Sequence, residues 1–331
     1  MTPSYCARWM RPLASAGRLR HRTLGLLTAG LLALFALPAP AFEPGLATID
    51  LRIDGIRIGY QQQMRAVLPG EQLLLETAPQ ARIETTIGVL TPQMAGRWLW
   101  TAHTEPGHGQ LTVTVPDVGQ SRITLFVMRP WNPATESNLS GYRIGAYPRK
   151  PLRGNPIYNA PPGFIEVTQD MVDLPVSPHF RLGEFLCKQQ PDHWPKYLRL
   201  RPGLLNRLER ILHALNKAGI KSDRLVVMSG FRTPWYNAQI QNVEYSRHVW
   251  GGAADVYVDR NGDGQMDDLN GDGVTNFDDT LWLRDLIRQT FSEVRDAATV
   301  AGGLGVYGPR PHRGPFVHVD ARGEDAYWSI P

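Results

Sequence analysis

The chain has 331 residues, 42% hydrophobic and 20% charged, which is the composition of a folded globular protein. Its formal charge of +4 falls to −1 without the five arginines of residues 1–41, so the composition does not indicate nucleic-acid binding. Of its two cysteines, Cys6 lies in that N-terminal segment and Cys187 is alone in the rest of the chain, which excludes an internal disulfide there.

The first predicted element is a secretory signal peptide over residues 1–41. Its arginines precede an apolar run over 24–37, and Ala39-Pro40-Ala41 matches a small-residue cleavage site. The apolar run is short for a bilayer span, which favours cleavage over an uncleaved membrane anchor and predicts no stable membrane insertion afterwards. An exported protein without disulfides fits the periplasm or cell envelope of a bacterium.

Residues 42–130 predict a small all-β domain. Short strands with turn dipeptides between them, and no helical pattern, favour an immunoglobulin-like β-sandwich. Trp98 and Trp100 lie on one face of a strand and are expected in its core. Two roles stay open for this domain, a wall-binding or spacer module and a cover for one side of its neighbour. The runs that alternate with period two are 48–53, 111–115 and 123–127.

Residues 131–176 are rich in proline, glycine and asparagine, and they are too many for an idle loop. Aromatic side chains such as Tyr142, Tyr147 and Phe164 recur along this segment. They predict an ordered strap packed against a neighbouring domain. Lining of a peptide-binding groove is the alternative for the same residues.

Residues 177–331 predict a domain that combines helices and strands. Apolar residues at helical spacing predict a helix over 203–218, which ends at Gly219. The apolar run 225–228 predicts a strand after it. A second helix is expected after residue 279, where leucines again recur at helical spacing.

The stretch 246–255 carries two candidate metal ligands, His248 and Asp255, with two glycines between them that allow a tight turn. Zinc binds imidazole nitrogen and carboxylate oxygen, and a catalytic zinc site uses three protein ligands plus an open position. The third ligand is predicted at His318, in the strand-like run 316–320. The alternative is a buried histidine and an aspartate that caps a helix.

The pattern S-x-H-x-x-G-x-A-x-D over 246–255, with V-H-V-D over 317–320, resembles the M15 (D-Ala-D-Ala carboxypeptidase) family of zinc peptidases. Within that family it is similar to the murein endopeptidase K branch, and the resemblance covers residues 177–331. It implies an α+β zinc peptidase domain of the hedgehog and D-Ala-D-Ala peptidase type. It also implies that the substrate is a stem peptide or cross-link of peptidoglycan, whose carbonyl the zinc polarises while it activates water.

Arg232 lies in Ser229-Gly230-Phe231-Arg232, which matches the S-G-[YF]-R motif of that family. The resemblance implies that Arg232 holds the scissile carbonyl or the substrate carboxylate. A planar fork of N–H donors suits this task. The alternative for this arginine is a surface salt bridge.

The sequence departs from the family at the general base. Many members have a glutamate three residues before the last histidine ligand or a histidine two before it, where this chain has Pro315 and Phe316. His312, on a loop rich in glycine and proline, is the favoured base, since histidine exchanges protons near neutral pH. Asp320, expected on the same strand face as His318, is the second catalytic candidate, as a residue that supports the ligand or faces the substrate.

The segment 259–279 predicts a calcium-binding insertion between the second and third zinc ligands. Its second loop, from residue 268, has oxygens at EF-hand positions 1, 3, 5, 9 and 12 and glycine at 6, and closes with Asp instead of Glu. Its first loop, from residue 259, is weaker because Asn stands at position 12. A solvated acidic turn is the alternative. The predicted Ca²⁺ ligands are Asp259, Asn261, Asp263, Asp267, Asp268, Asn270, Asp272, Asn276 and Asp279.

These patterns predict an exported zinc metallopeptidase that acts on peptidoglycan peptides. The missing standard base leaves open a catalytically inactive zinc- and calcium-binding protein that binds the cell wall. The acidic loops leave open a calcium-dependent adhesion module in which the hydrolase fold is a scaffold. Hydrolysis of purified peptidoglycan, with and without a chelator, distinguishes the enzyme from both.

Overall fold

Strands dominate the fold, which is mixed α/β. The structure, a computed structural model, describes residues 41–293 and 301–331, so the predicted signal peptide lies outside the described residues except for Ala41. Among the residues described, no helix is long and apolar enough to cross a membrane. The α-helices in these ranges are α1 (Pro202–Lys217), α2 (Pro234–Gln239) and α3 (Phe277–Ser292). The strands are β1 (Arg52–Ile53), β2 (Ile56–Arg57), β3 (Gln62–Val67), β4 (Gln72–Glu76), β5 (Arg82–Thr85), β6 (Val89–Met94), β7 (Arg97–Thr101), β8 (Gly107–Val115), β9 (Gly119–Val127), β10 (Arg129–Pro130), β11 (Asn138–Leu139), β12 (Tyr142–Arg143), β13 (Gly163–Val167), β14 (Lys196–Leu198), β15 (Val226–Ser229), β16 (Ala253–Tyr257), β17 (Gly303–Tyr307), β18 (Phe316–Asp320) and β19 (Ala326–Ile330).

Two sheets in the N-terminal part share one hydrophobic core. Their strand orders are β2-β1-β4-β7-β6 and β3-β9-β8-β5, and β3 pairs with β9 in parallel. In β8, Leu111 and Val113 point into the core and alternate with threonines, as the period-two pattern predicts. Trp100 is fully buried there, while Trp98 is half-buried and packs against this core. An immunoglobulin-like topology stays a prediction.

The segment 131–176 packs against the second, larger core. The rings of Tyr142, Tyr147 and Phe164 are all buried in that core. The Tyr147 hydroxyl donates a 2.8 Å hydrogen bond to the carbonyl of Val249, directly after the first predicted metal ligand. The strap therefore fixes the backbone of the site by packing and hydrogen bonding.

The sheet that carries the predicted ligands has the order β15-β16-β18-β17-β19. Alternate residues of β18 divide between its two faces. Val317 and Val319 join the apolar core that also contains Leu208 of α1 and Ile287 of α3. His318, between the two valines, points to the other face. The helix over Pro202–Lys217 thus covers one side of the sheet and leaves the ligand side to a cleft.

Strand register places one row of residues across this sheet at the level of the third ligand. Asp255 pairs with Ser229 on one side and with His318 on the other. His318 in turn pairs with Gly305, which pairs with Trp328 in parallel register. A Cβ on Gly305 would collide with the Trp328 indole, so the glycine makes room for that ring.

Candidate metal centre

A sharp chain reversal positions His248. The residue lies in the 3₁₀ turn Arg247–Trp250, which ends at Gly251 with φ of +66°. A side chain at Gly251 would be strained there and would also collide with the carbonyl oxygen of Arg199. The His248 imidazole is buried, and its Nδ1 lies 2.7 Å from the carbonyl oxygen of Gly230.

Three side-chain atoms converge on one point between His248, Asp255 and His318. Nε2 of His248 lies 3.1 Å from Oδ1 of Asp255 and 3.1 Å from Nδ1 of His318. Nδ1 of His318 lies 2.9 Å from the same carboxylate oxygen. All three residues are buried, and among the described residues they are the one group of this kind that could hold a metal ion.

The outer hydrogen bonds of the two imidazoles determine which nitrogens carry protons. The carbonyl of Gly230 can only accept, so Nδ1 of His248 is the donor and its Nε2 keeps a lone pair. The Asp320 carboxylate likewise accepts from Nε2 of His318 at 3.1 Å, which leaves a lone pair on Nδ1. With neutral imidazoles, three acceptors therefore face each other, and a cation between them satisfies all three.

The spacing also fits zinc. Two zinc–ligand bonds of about 2.0–2.1 Å at a tetrahedral angle put their ligand atoms about 3.3–3.4 Å apart. The separations of 2.9 to 3.1 Å between the three inward atoms are close to that value. The donor set of two imidazoles and one carboxylate is one that zinc accepts, with a fourth position open toward the cleft.

Two of the three groups, His248 and Asp255, have shifted pKa values that favour a bound cation. Burial lowers the pKa of His248, so this imidazole is neutral at neutral pH. Burial alone would raise the pKa of Asp255, but the two histidines outweigh it and hold that pKa well below its usual range. For His318, burial lowers the pKa, yet hydrogen bonds to Asp255 and Asp320 outweigh it and raise the pKa overall. The carboxylate is therefore ionised, and a metal must displace a proton from His318 at lower pH.

Arg232 lies beside the triad instead of at the protein surface. Its Nη2 donates to Oδ2 of Asp255 at 2.5 Å, and its Nε donates to the Ser229 hydroxyl at 2.9 Å. The guanidinium is thus an orienting partner of the ligand Asp255, whose other oxygen points at the histidines. Arg232 also lines the cleft, and its Nη1 has no hydrogen-bond partner among residues 41–293 and 301–331. That nitrogen can donate to a bound molecule.

Asp320 is fully buried behind His318. Its carboxylate accepts from the amide of Gly303 at 3.0 Å and from Nη2 of Arg322 at 2.6 Å, in addition to the His318 contact. Burial raises its pKa, but His318 and Arg322 outweigh that effect and depress it strongly. This geometry makes Asp320 a partner that holds the His318 ring, which is one of the two roles that the sequence predicts for it.

His312 lies on an exposed loop at the rim of the cleft. The cleft has a volume of about 1070 Å³, and its lining includes His312 together with the three triad residues. The structure therefore brings His312 to the same cavity as the metal site. It gives His312 no hydrogen bond to a ligand residue among the residues described.

Two cleft residues that sequence reasoning missed are Tyr307 and Trp328. The Trp328 ring packs 5.1 Å from the His318 ring, and its Nε1 donates to the Tyr307 hydroxyl at 2.8 Å. The tyrosine hydroxyl therefore accepts from the indole and keeps its own proton for a further partner. Both residues follow ordinary strand patterns, so the sequence holds no signal that places them beside His318.

The acidic insertion forms two loops of similar geometry. Asp259 accepts from the amides of Gly262 and Gly264, and nine residues later Asp268 accepts from the amides of Gly271 and Gly273. Asp279 caps the start of α3 and accepts from the amides of Leu269 and Asn276. In the first loop Asp267 pairs with Arg260 at 2.6 Å. Calcium binding by these loops stays a prediction.

Comparison of the chain with models of known protein families found no match, and comparison with curated proteins found none either. The resemblance to M15 zinc peptidases stays a prediction from the sequence motifs.

Proposed function

We propose that the protein is an exported zinc metallopeptidase that hydrolyses peptide bonds in the stem peptides or cross-links of peptidoglycan. The observation that carries the proposal is the convergence of two imidazole lone pairs and one carboxylate oxygen at the floor of an open cleft. A structural zinc site is closed by four protein ligands, whereas three ligands with access to a cleft are typical of a catalytic site.

The residues around the triad have separate tasks in this proposal. Gly230 and Asp320 hold the outer nitrogens of the two histidines, so that their inward lone pairs stay aligned. Arg232 orients Asp255 and offers its remaining N–H groups to the oxygen on which charge develops. His312, at the rim, accepts and returns a proton. When bound, a zinc ion supplies a Lewis acid that polarises the peptide carbonyl and lowers the pKa of water.

Digestion of purified peptidoglycan tests the proposal. The mature protein, loaded with zinc, is incubated with intact sacculi, and the released muropeptides are identified by mass spectrometry. New amino and carboxyl termini in the peptide part are expected with the wild type, and their loss is expected with a chelator and with His318→Ala. Restoration by added zinc in the wild type but not in His318→Ala assigns the activity to this site.

The same experiment addresses the inactive wall-binding alternative. A protein that only binds the wall sediments with sacculi but releases no cleaved peptide at any metal concentration. Retention on sacculi without products would therefore replace the peptidase proposal by the binding protein. Calcium is added as a separate condition, because we expect calcium to stabilise residues 259–279 and zinc to supply the chemistry.

A further inference from the structure

The guanidinium of Arg247 is a buried charge without a counter-ion. The residue is 2% exposed and directly precedes the ligand His248. Its Nη1 donates to the carbonyl of Ile157 at 3.3 Å, but its Nε and Nη2 have no hydrogen-bond partner among the described residues. An unpaired buried cation is costly, so an arrangement of this kind needs an anion to complete it.

The neighbours of Arg247 do not supply that anion. Arg201 donates to the same Ile157 carbonyl at 3.1 Å and adds positive charge. The Tyr158 ring lies 4.8 Å from the guanidinium carbon, a cation–π contact that compensates the charge in part. Asp320, the acidic group whose charge acts on Arg247, is already bound to Arg322 and His318.

Arg247 belongs to the wall of the cleft, with its unpaired Nε and Nη2 buried behind that wall. Arg247, Tyr158 and Arg322 line the same cleft as the metal triad. Nη2 of Arg247 packs against Gly252, where an added Cβ would lie only 2.9 Å from it, so the missing side chain makes room for the guanidinium. Nε and Nη2 are shielded in this structure, so an entering group must displace a side chain. Tyr158 packs against the guanidinium and also lines the cleft, which makes its ring the group to move.

We propose that Arg247 forms a subsite of the cleft that binds a carboxylate group. Nε–H and Nη2–H form the edge of a guanidinium that binds both oxygens of a carboxylate in parallel. A chloride ion or the oxygen of a neutral amide must share one acceptor atom between the two N–H groups, whereas a carboxylate gives each its own oxygen. Arg232 does not offer the same edge, since its Nε and Nη2 are taken by Ser229 and Asp255.

The carboxylate has two possible sources, a carboxylate of the peptide substrate and a free small carboxylate. The first rests on the proposed peptidase function, and the second does not. In either case the subsite makes the cleft selective for ligands that carry a carboxylate. For a substrate, it fixes which end or side group of the peptide lies next to His248.

Binding measurements without turnover test the subsite. Calorimetry of the full mature protein compares N-acetyl-D-alanyl-D-alanine with its C-terminal carboxamide, and acetate with chloride at equal ionic strength. We expect the wild type to prefer the carboxylate peptide by about 10- to 100-fold, the value of a charge-assisted pair. The preference should survive removal of zinc by a chelator, which excludes binding of the carboxylate to the metal.

Variants at position 247 show whether Arg247 causes the preference for the carboxylate peptide. Arg247→Met should bind the two peptides with nearly equal affinity, Arg247→Lys should keep a reduced preference, and the exposed Arg149→Met should match the wild type. If Arg247→Met does not fold, the ratio of the affinities for the two peptides in the wild type and in Arg247→Lys decides whether the subsite exists. Equal affinities in the wild type, or a full preference in Arg247→Met or Arg247→Lys, would overturn the proposal. A response to acetate but not to the peptide identifies the free carboxylate as the ligand. Absence of hydrolysis leaves this result intact, because no step of the test requires it.

Discussion

Replacement of Asp320 by asparagine tests how the metal centre is held together. In the structure Oδ2 of Asp320 accepts from Nε2 of His318 at 3.1 Å and from Arg322 Nη2 at 2.6 Å, while Oδ1 accepts from the Gly303 amide at 3.0 Å. An asparagine has the same shape but one acceptor oxygen. Whichever way its amide is turned, an NH₂ group faces at least one N–H donor that has lost its partner.

The expected loss of zinc affinity follows from the hydrogen bond that Asp320→Asn removes. If the amide nitrogen takes the place of Oδ2, His318 Nε2–H has no acceptor, and its proton shifts to Nδ1, where it competes with the metal. A hydrogen bond to a charged group contributes about 1.5–3 kcal/mol, which corresponds to about 10- to 150-fold in an equilibrium constant. Asp320→Asn should therefore weaken zinc binding by about 10- to 100-fold, the usual range for a partner of a ligating histidine.

Competition with a chromogenic zinc chelator measures this affinity directly. Asp285→Asn is a matched control, because Asp285 pairs with Arg284 on the surface of α3, far along the chain from the ligands. It should bind zinc like the wild type. Unchanged zinc affinity in Asp320→Asn would refute the claim that Asp320 holds His318. Unchanged affinity combined with a complete loss of peptidase activity would instead make Asp320 the proton-transfer group.

Four further outcomes are expected. His248→Ala should lose its bound zinc in metal analysis, and full zinc content would remove His248 from the ligand set. His312→Ala should lower kcat on a peptide substrate by about 10² to 10⁴-fold while zinc content is unchanged, and a normal rate would assign proton transfer to another residue. Calcium at about a hundredfold excess over Kd should stabilise the wild type by about 2.7 kcal/mol in thermal melts but not Asp268→Ala/Asp272→Ala, and an equal rise in both would reject the calcium loops. Folding raises the pKa of His318, so the stability that its proton contributes is present below about pH 6.5 and is lost as pH rises through the raised pKa. Because zinc must displace this proton, the zinc-induced rise in Tm should grow between about pH 5 and pH 8. A zinc-induced rise in Tm that is the same at every pH would contradict this.

Local patterns in the sequence were enough to predict the main elements around the site. Apolar residues at helical spacing and Gly219 predicted α1, which spans Pro202–Lys217 and is followed by that glycine with φ of +92°. Alternation in Phe316–Asp320 predicted a strand with His318 and Asp320 on one face. These signals depend on residues within a few positions of each other, so they can be read without tertiary structure.

The candidate ligands could also be identified from the sequence, because the metal chemistry limits the residue types. His248 and Asp255 are close in the chain, and the structure brings His318, 70 residues after His248, to 3.1 Å from it. The sequence did not predict that Arg232 is bound to Asp255, since this contact joins residues 23 positions apart through the pairing of β15 with β16.

Tertiary structure alone decided what surrounds the ligands. The position of Trp328 against His318 depends on the register of three strands and on the missing side chain of Gly305. The unpaired edge of Arg247 depends on which groups from the strap and from β18 lie near it, and a local pattern carries no record of them. Sequence determines which side chains can bind a metal or a carboxylate, whereas burial and register determine which of their hydrogen-bonding atoms are already satisfied. That second property is set by contacts between segments far apart in the chain.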